Sequence, residues 1–214
     1  MLLKIERLLP TPLASRADAL QSEIWKSDQV FEPQDIVFLR APSGKGKSTF
    51  MHMLYGLRND YSGKVYWSQQ EAQLQSDAQW AEWRSGPLSI VFQDLRLFDS
   101  LTVAENIQIK QALAADVTEQ QVKEWLAYLG LEQKWNQKAQ LLSYGERQRV
   151  ALMRSLIQPF EWLLLDEPFS HLDNDNIIKC AEIITQRVAT RKAGMMVVDL
   201  ELNTYFSYTR TLVL

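Results

Sequence analysis

The chain has 214 residues, 46% of them hydrophobic, and a formal net charge of −3. One substantial core is within reach without disulfides, and the single cysteine, Cys180, reads as a small core filler in a reducing compartment. The mild acidity argues against a protein whose main work is coating nucleic acid, and no apolar run approaches the ~20 residues of a membrane helix. Met1–Pro10 carries Lys4, Glu6 and Arg7 where a signal peptide would be apolar. A cytoplasmic chain is therefore expected, one that reaches a membrane only through a partner.

Ile36–Arg40 is a short apolar run followed by Ala41-Pro42-Ser43-Gly44 and a helical pattern from Gly46, which reads as strand, glycine-containing turn and helix. Ser22–Val30, Gly63–Trp67 and Leu88–Phe92 are further strand candidates, and Ser68–Gln79 is an exposed connection or helix. Helical periodicity runs from Leu101 to about Gly130. Ser143–Ile157 is a predicted helix with Ser143 as N-cap and Glu146 three residues on, a capping box, and Pro159 ends it. Trp162–Leu165 and Met195–Val198 read as buried strands, with a helix over Asn174–Arg187 between them. Strands and helices thus alternate at both ends around a helix-rich block, the pattern of a parallel α/β core interrupted by a helical insertion.

Two segments carry chemistry. In Ala41–Thr49 the glycines Gly44 and Gly46 let the backbone curl so that its N–H groups, from Ser43 to Thr49, point at phosphate oxygens, and the following helix adds its positive N-terminus. Lys47 would reach the β- and γ-phosphates and the Ser48 hydroxyl would bind Mg²⁺. Lys45 either adds charge near the phosphates or is a solvated lysine. Ala41 stands where the usual pattern has glycine. Leu163–Pro168 is an apolar strand ending in two carboxylates: Asp166 suits an Mg²⁺-holding role through water, and Glu167 suits a general base that polarises the attacking water.

The loop and the acidic strand end place the chain among P-loop NTPases, and three further segments resemble the ATP-binding cassette (ABC) family. Leu142-Ser143-Tyr144-Gly145-Glu146-Arg147-Gln148-Arg149 resembles its signature motif, Val91-Phe92-Gln93-Asp94 its Q-loop, and Phe169-Ser170-His171-Leu172-Asp173 its D-loop. Asp94–Val103 is similar to the corresponding segment of the lipoprotein-releasing, macrolide-exporting and cell-division-associated branch. The resemblance implies an α/β fold: a P-loop NTPase core with a parallel-rich sheet, an N-terminal β sub-domain and an inserted helical sub-domain. One domain over residues 1–214 would divide into a core of 1–94 and 159–214 and a helical part of 95–158. It also implies that Ser143 and Gly145 face the γ-phosphate held by another subunit, as a homodimer or cassette heterodimer closes over two ATP molecules. Gln93 would touch Mg²⁺ or the attacking water. A separate transmembrane permease would be the partner, placing the chain on the inner face of the cell membrane, with no nucleic acid expected.

Two family features are missing. The histidine that follows the last core strand falls on Leu200, and neither His52 nor His171 lies near it in sequence. His171 is expected to be a polar D-loop residue. No aromatic in Thr11–Leu20 is available to stack on adenine; Trp25, the nearest, reads as a core tryptophan. Losing one γ-phosphate contact would cost about 10²–10³ in rate, so slow hydrolysis is expected. The alternatives are an ATP-gated regulatory module that barely hydrolyses, and a non-transport ABC protein, against which stands the lack of coiled coils, zinc modules or a second cassette.

Overall fold

A computed structural model describes residues 1–19, 21–114 and 116–214, with the side chains at 16–19 outside the description. In chain order the elements are β1 (Leu3–Pro10), β2 (Asp28–Phe31), β3 (Ile36–Arg40), α1 (Lys47–Leu54), β4 (Tyr61–Trp67), β5 (Gln70–Glu71), α2 (Asp77–Ser85) and β6 (Leu88–Val91). After them come α3 (Val103–Ala114), α4 (Glu119–Tyr128), α5 (Tyr144–Ser155), β7 (Trp162–Asp166), α6 (Asn174–Arg191), β8 (Gly194–Asp199) and β9 (Arg210–Val213).

The strands form two sheets. One is antiparallel, in the order β2-β1-β4-β5; the other is wholly parallel, in the order β6-β7-β8-β3-β9. Side chains of the parallel sheet alternate between two cores, as the two-residue period of a strand requires. Phe38, Leu163, Leu165, Met195 and Val197 enter the core shared with α4, α5 and α6. Val37, Leu39, Leu164, Met196 and Val198 enter the core on the opposite face, with Phe50 of α1 and Trp67 of the antiparallel sheet. Both faces are covered, which is why β7 and β8 are almost uninterrupted apolar runs. The five parallel strands end at one edge. Ala41, Gln93, Asp166 and Asp199 all lie at or just beyond that edge, where α/β sheets bind ligands.

Two expectations about elements change. The helical stretch from Leu101 to Gly130 is two helices: Thr118 opens α4 with a full capping box, its side chain accepting from the Gln121 N–H while Gln121 bonds back to the Thr118 N–H. Ser22–Val30 is not a strand; only Asp28–Phe31 is. The Ser22 hydroxyl accepts the N–H groups of Ile24 (3.1 Å) and Trp25 (2.9 Å), turning the chain before β2 begins. Cys180 is fully buried on α6, as its apolar neighbours suggested.

At the seam between the helical block and the core, Lys110 of α3 donates to the Arg84 carbonyl at 3.3 Å, and Arg154 of α5 donates to the Leu95 carbonyl at 3.0 Å. Neither has a carboxylate partner among the described residues. Burial, with Arg154 nearby, pushes the Lys110 ammonium down to about 8. The unfolded lysine titrates higher, so the charged side chain costs stability fully below pH 8, and the cost fades as pH rises towards the unfolded value. Lys110→Met is therefore expected to raise the unfolding free energy at pH 7 by about 1–3 kcal/mol, an advantage that shrinks to nothing above roughly pH 10.5. Denaturant titrations at pH 7 and 10.5 check both parts.

Candidate nucleotide-binding site

The loop between β3 and α1 turns on two glycines. Gly44 has φ +75° and Gly46, the N-cap of α1, has φ +97°. The positive φ at Gly46 strains any other residue, and a Cβ there would stand 3.1 Å from Leu13 Cδ1 and 3.2 Å from the Trp25 ring, so both side chains would have to give way. Ala41 has no positive φ and its side chain is buried, so alanine in the place of the usual first glycine carries no backbone penalty.

Ser43, Gly44, Gly46, Lys47, Ser48 and Thr49 line a cavity of about 370 Å³ together with Gln93 and Glu167. Lys45 is not part of that lining; its carbonyl accepts the Trp25 indole N–H at 3.3 Å. The Lys47 ammonium is 8% exposed and sits 3.0 Å from the Ala41 carbonyl and 3.1 Å from Glu167 Oε1. Gln93 joins the remaining parts: its Nε2 donates to Glu167 Oε2 at 3.2 Å, and its Oε1 accepts from the Ser48 hydroxyl at 3.3 Å. Glu167 follows β7 with φ +47°, a strained conformation for a residue other than glycine, and its N–H donates to Val198 O.

Asp166 is 1% exposed, and neither carboxylate oxygen has a hydrogen-bond partner among the described residues. Burial pushes its carboxyl up to about 6; Glu167 and Asp199 add to the rise, while Ser48 and Lys47 oppose it. A buried carboxylate with unmet oxygens beside a hydroxyl and an amide oxygen is a donor set for a hard cation, so Asp166, Ser48 and Gln93 fit Mg²⁺. No group of three His, Cys, Asp or Glu side chains among the described residues is placed to hold a metal alone. A cation here would depend on phosphate oxygens for the rest of its shell.

Ser143 and Gly145 stand apart from this cavity. Ser143 caps α5, exchanging bonds with Glu146: the Ser143 N–H donates to Oε2 at 2.7 Å and the Glu146 N–H to the serine hydroxyl at 3.3 Å. A Cβ at Gly145 would lie 3.0 Å from the His171 carbonyl, so glycine permits the close approach of α5 to the segment after β7. Tyr144 is the residue whose part the sequence does not reveal. Its hydroxyl donates to the Gln93 carbonyl at 3.0 Å and its ring lies 4.1 Å from that of His171. Tyr144 stands where the commonest form of the signature that this segment resembles has its first glycine, and its partners are 51 and 27 residues away in the chain. Leu200 is exposed and its N–H donates to Asp199 Oδ1 at 2.7 Å, and neither histidine lines the cavity.

The ABC transporter family matches residues 27–170, and this stretch contains the phosphate loop, Gln93, the Ser143 helix and the Asp166–Glu167 pair. The chain belongs to that family. It is 32% identical over 151 residues to a lipoprotein-releasing system ATP-binding protein LolD of Idiomarina loihiensis, covering 69% of this chain and 66% of that protein. It is 34% identical over 164 residues to the LolD of Rhodopseudomonas palustris, covering 75% and 71%. The fold matches the ATP-binding cassette MJ0796, solved as a dimer bound to ADP and phosphate, with a TM-score of 0.77 at 23% identity over 93% of this chain and 88% of that one. This ABC chain has the ATP-binding fold, and among the described residues no helix is long and apolar enough to cross a membrane.

The raised carboxyl of Asp166 has a measurable cost. The native group titrates near 6 and the unfolded one near 3.8. The ionised form therefore destabilises the ligand-free protein above pH 6, and the penalty disappears as pH falls below the unfolded value. Asp166→Asn is expected to stabilise the ligand-free protein by about 1–3 kcal/mol at pH 7.5, with no gain below roughly pH 4. Thermal unfolding across that pH range checks it.

Proposed function

We propose that this protein is the ATP-hydrolysing subunit of an ABC transporter, in which two cassettes close over two ATP molecules and drive a separate transmembrane subunit. The observation that carries the reading is the convergence of Lys47, Ser48, Gln93, Asp166 and Glu167 at one sheet edge, while Ser143 and Gly145 lie outside their cavity. A site divided in this way is completed by the α5 N-terminus of a second cassette, whose unpaired N–H groups suit a γ-phosphate. The dimeric state of the MJ0796 structure, and the lipoprotein-releasing systems for which the LolD relatives are the ATP-binding proteins, support the same assembly. The chain would divide into the core of 1–94 and 159–214 and the helical part of 95–158, and would sit at the cytoplasmic face of the cell membrane through its permease.

In this reading the N–H groups of Ser43 to Thr49 hold the phosphates and Lys47 leaves Glu167 to meet the β- and γ-oxygens. Mg²⁺, held by Ser48 and Gln93 with Asp166 behind them, would offset phosphate charge. Glu167, released from Lys47, takes the proton of the attacking water, and Gln93 orients that water. Leu200 offers no donor to the γ-phosphate, so turnover is slow.

Glu167→Gln is expected to abolish steady-state phosphate release while retaining ATP, so that the ATP-bound protein sediments as a dimer. Wild-type turnover surviving in this variant sinks the assignment of the base. Leu200→His is expected to raise turnover by about 10- to 100-fold. An unchanged rate would show that the missing histidine does not limit hydrolysis.

A further inference from the structure

Besides the phosphate loop, Gln93 and Glu167, the nucleotide cavity is lined by Pro10, Pro12, Leu13 and Arg58, with Leu13 packed against Gly46. A nucleoside triphosphate whose phosphates lie on Ser43–Thr49 must place its base against these four. No aromatic side chain lines the cavity among the described residues. Trp25 cannot swing in, because it is buried beneath the loop, donates to the Lys45 carbonyl and packs edge-on against Phe50 at 5.6 Å.

Arg58 is built into this lining. Its Nε donates to Asp60 Oδ1 at 2.8 Å and its Nη2 to Asp60 Oδ2, a two-point pair that fixes the guanidinium as a flat plate. Asp60 is itself pinned to the rim: its carbonyl accepts the Thr11 N–H at 2.9 Å, between Pro10 and Pro12, and the next residue, Tyr61, pairs with Pro10 across the sheet. The ion pair therefore links the guanidinium to the strand end that carries the proline rim.

We propose that Arg58 is the base-binding residue of this cassette, offering its guanidinium face to the purine ring while Pro10, Pro12 and Leu13 cover the apolar remainder. The inference rests on the ATP-binding reading above and deepens it. A guanidinium face attracts any purine through its π-surface and does not read the donors and acceptors on the ring edge. Each Asp60 carboxylate oxygen accepts one bond from Arg58, which holds the carboxylate in the plane of the guanidinium instead of leaving it to turn toward the ring edge. The site thus binds purine nucleotides with little choice between adenine and guanine.

The test is equilibrium binding of ATP, GTP and inorganic tripolyphosphate to the full chain with Mg²⁺. ATP and GTP are expected to bind within five-fold of one another, and Arg58→Ala to weaken both by about 5- to 50-fold while leaving tripolyphosphate unchanged. Arg58→Lys keeps the charge and loses the plate, and is expected to behave like the alanine variant. The proposal is overturned if ATP binds more than five-fold better than GTP, or if either variant leaves ATP affinity intact. It is also overturned if tripolyphosphate affinity falls in step with ATP, which would make Arg58 a mere attractor of phosphate. Failure of the wild-type chain to bind either ATP or tripolyphosphate would instead remove the underlying ATP-binding reading.

Discussion

A lysine ammonium almost out of reach of water, held between the Ala41 carbonyl and the Glu167 carboxylate, fixes the geometry on which the rest of this cassette depends. A buried charge is tolerable only if its neighbours are placed to satisfy it. That requirement ties the end of β3 to the end of β7, and the strand between them, β8, sets their separation. The parallel sheet is thus more than a scaffold under the loop. Its register determines that Lys47, Glu167 and, through Gln93, Ser48 meet at one point. In the proposed reading it also stores the means of release, because incoming phosphate oxygens would compete directly with Glu167 for the ammonium.

Much of this was legible in the sequence because the features are local. Gly44 and Gly46 beside Lys47, the all-apolar β7 before Asp166, and the Ser143–Glu146 exchange each declare themselves within nine residues or fewer, and their physics needs no distant partner. The burial of Trp162–Leu165 and Met195–Val198 on both faces was likewise legible in their uninterrupted apolar runs. What the sequence hid depends on contacts across long separations. Trp25 looked like part of a strand because its neighbours are β-compatible, whereas Ser22 bonds turn the chain there and bury the indole under Gly46. Nothing in the sequence marks Arg58; only the fold brings it to the cavity lined by the phosphate loop. The break between α3 and α4 was masked by apolar periodicity on both sides of Thr118.

Tyr144 shows how a substitution in a motif can add a connection instead of removing one. Glycine there would leave the start of α5 without a side chain. The tyrosine reaches the carbonyl of Gln93, and Gln93 reaches Ser48 and Glu167. A path therefore runs from the helix that would face a second subunit, through the backbone and then the side chain of Gln93, to the hydroxyl and carboxylate of this chain's own cavity. His171, packed against the same ring, brings the segment after β7 into the path. Packed and hydrogen-bonded groups of this kind are one carrier of coupling between sites, and here one aromatic supplies the link.

The turn after Gln93 bears on movement. Leu95 and Arg96 both have positive φ, at 62° and 47°, a conformation that costs side-chain-bearing residues of order 1 kcal/mol or more each. Two clasps hold it: the Arg154 guanidinium on the Leu95 carbonyl at 3.0 Å, and the Arg96 guanidinium over the Phe92 ring at 3.7 Å. Arg154 belongs to α5 and Phe92 to the end of β6, so any rotation of α5 relative to the sheet pulls on both. The connection between them is a wound hinge, not a slack one. It leads straight into Leu97 and the exposed ring of Phe98, so a strained turn stands between the sheet and an aromatic surface open to a partner.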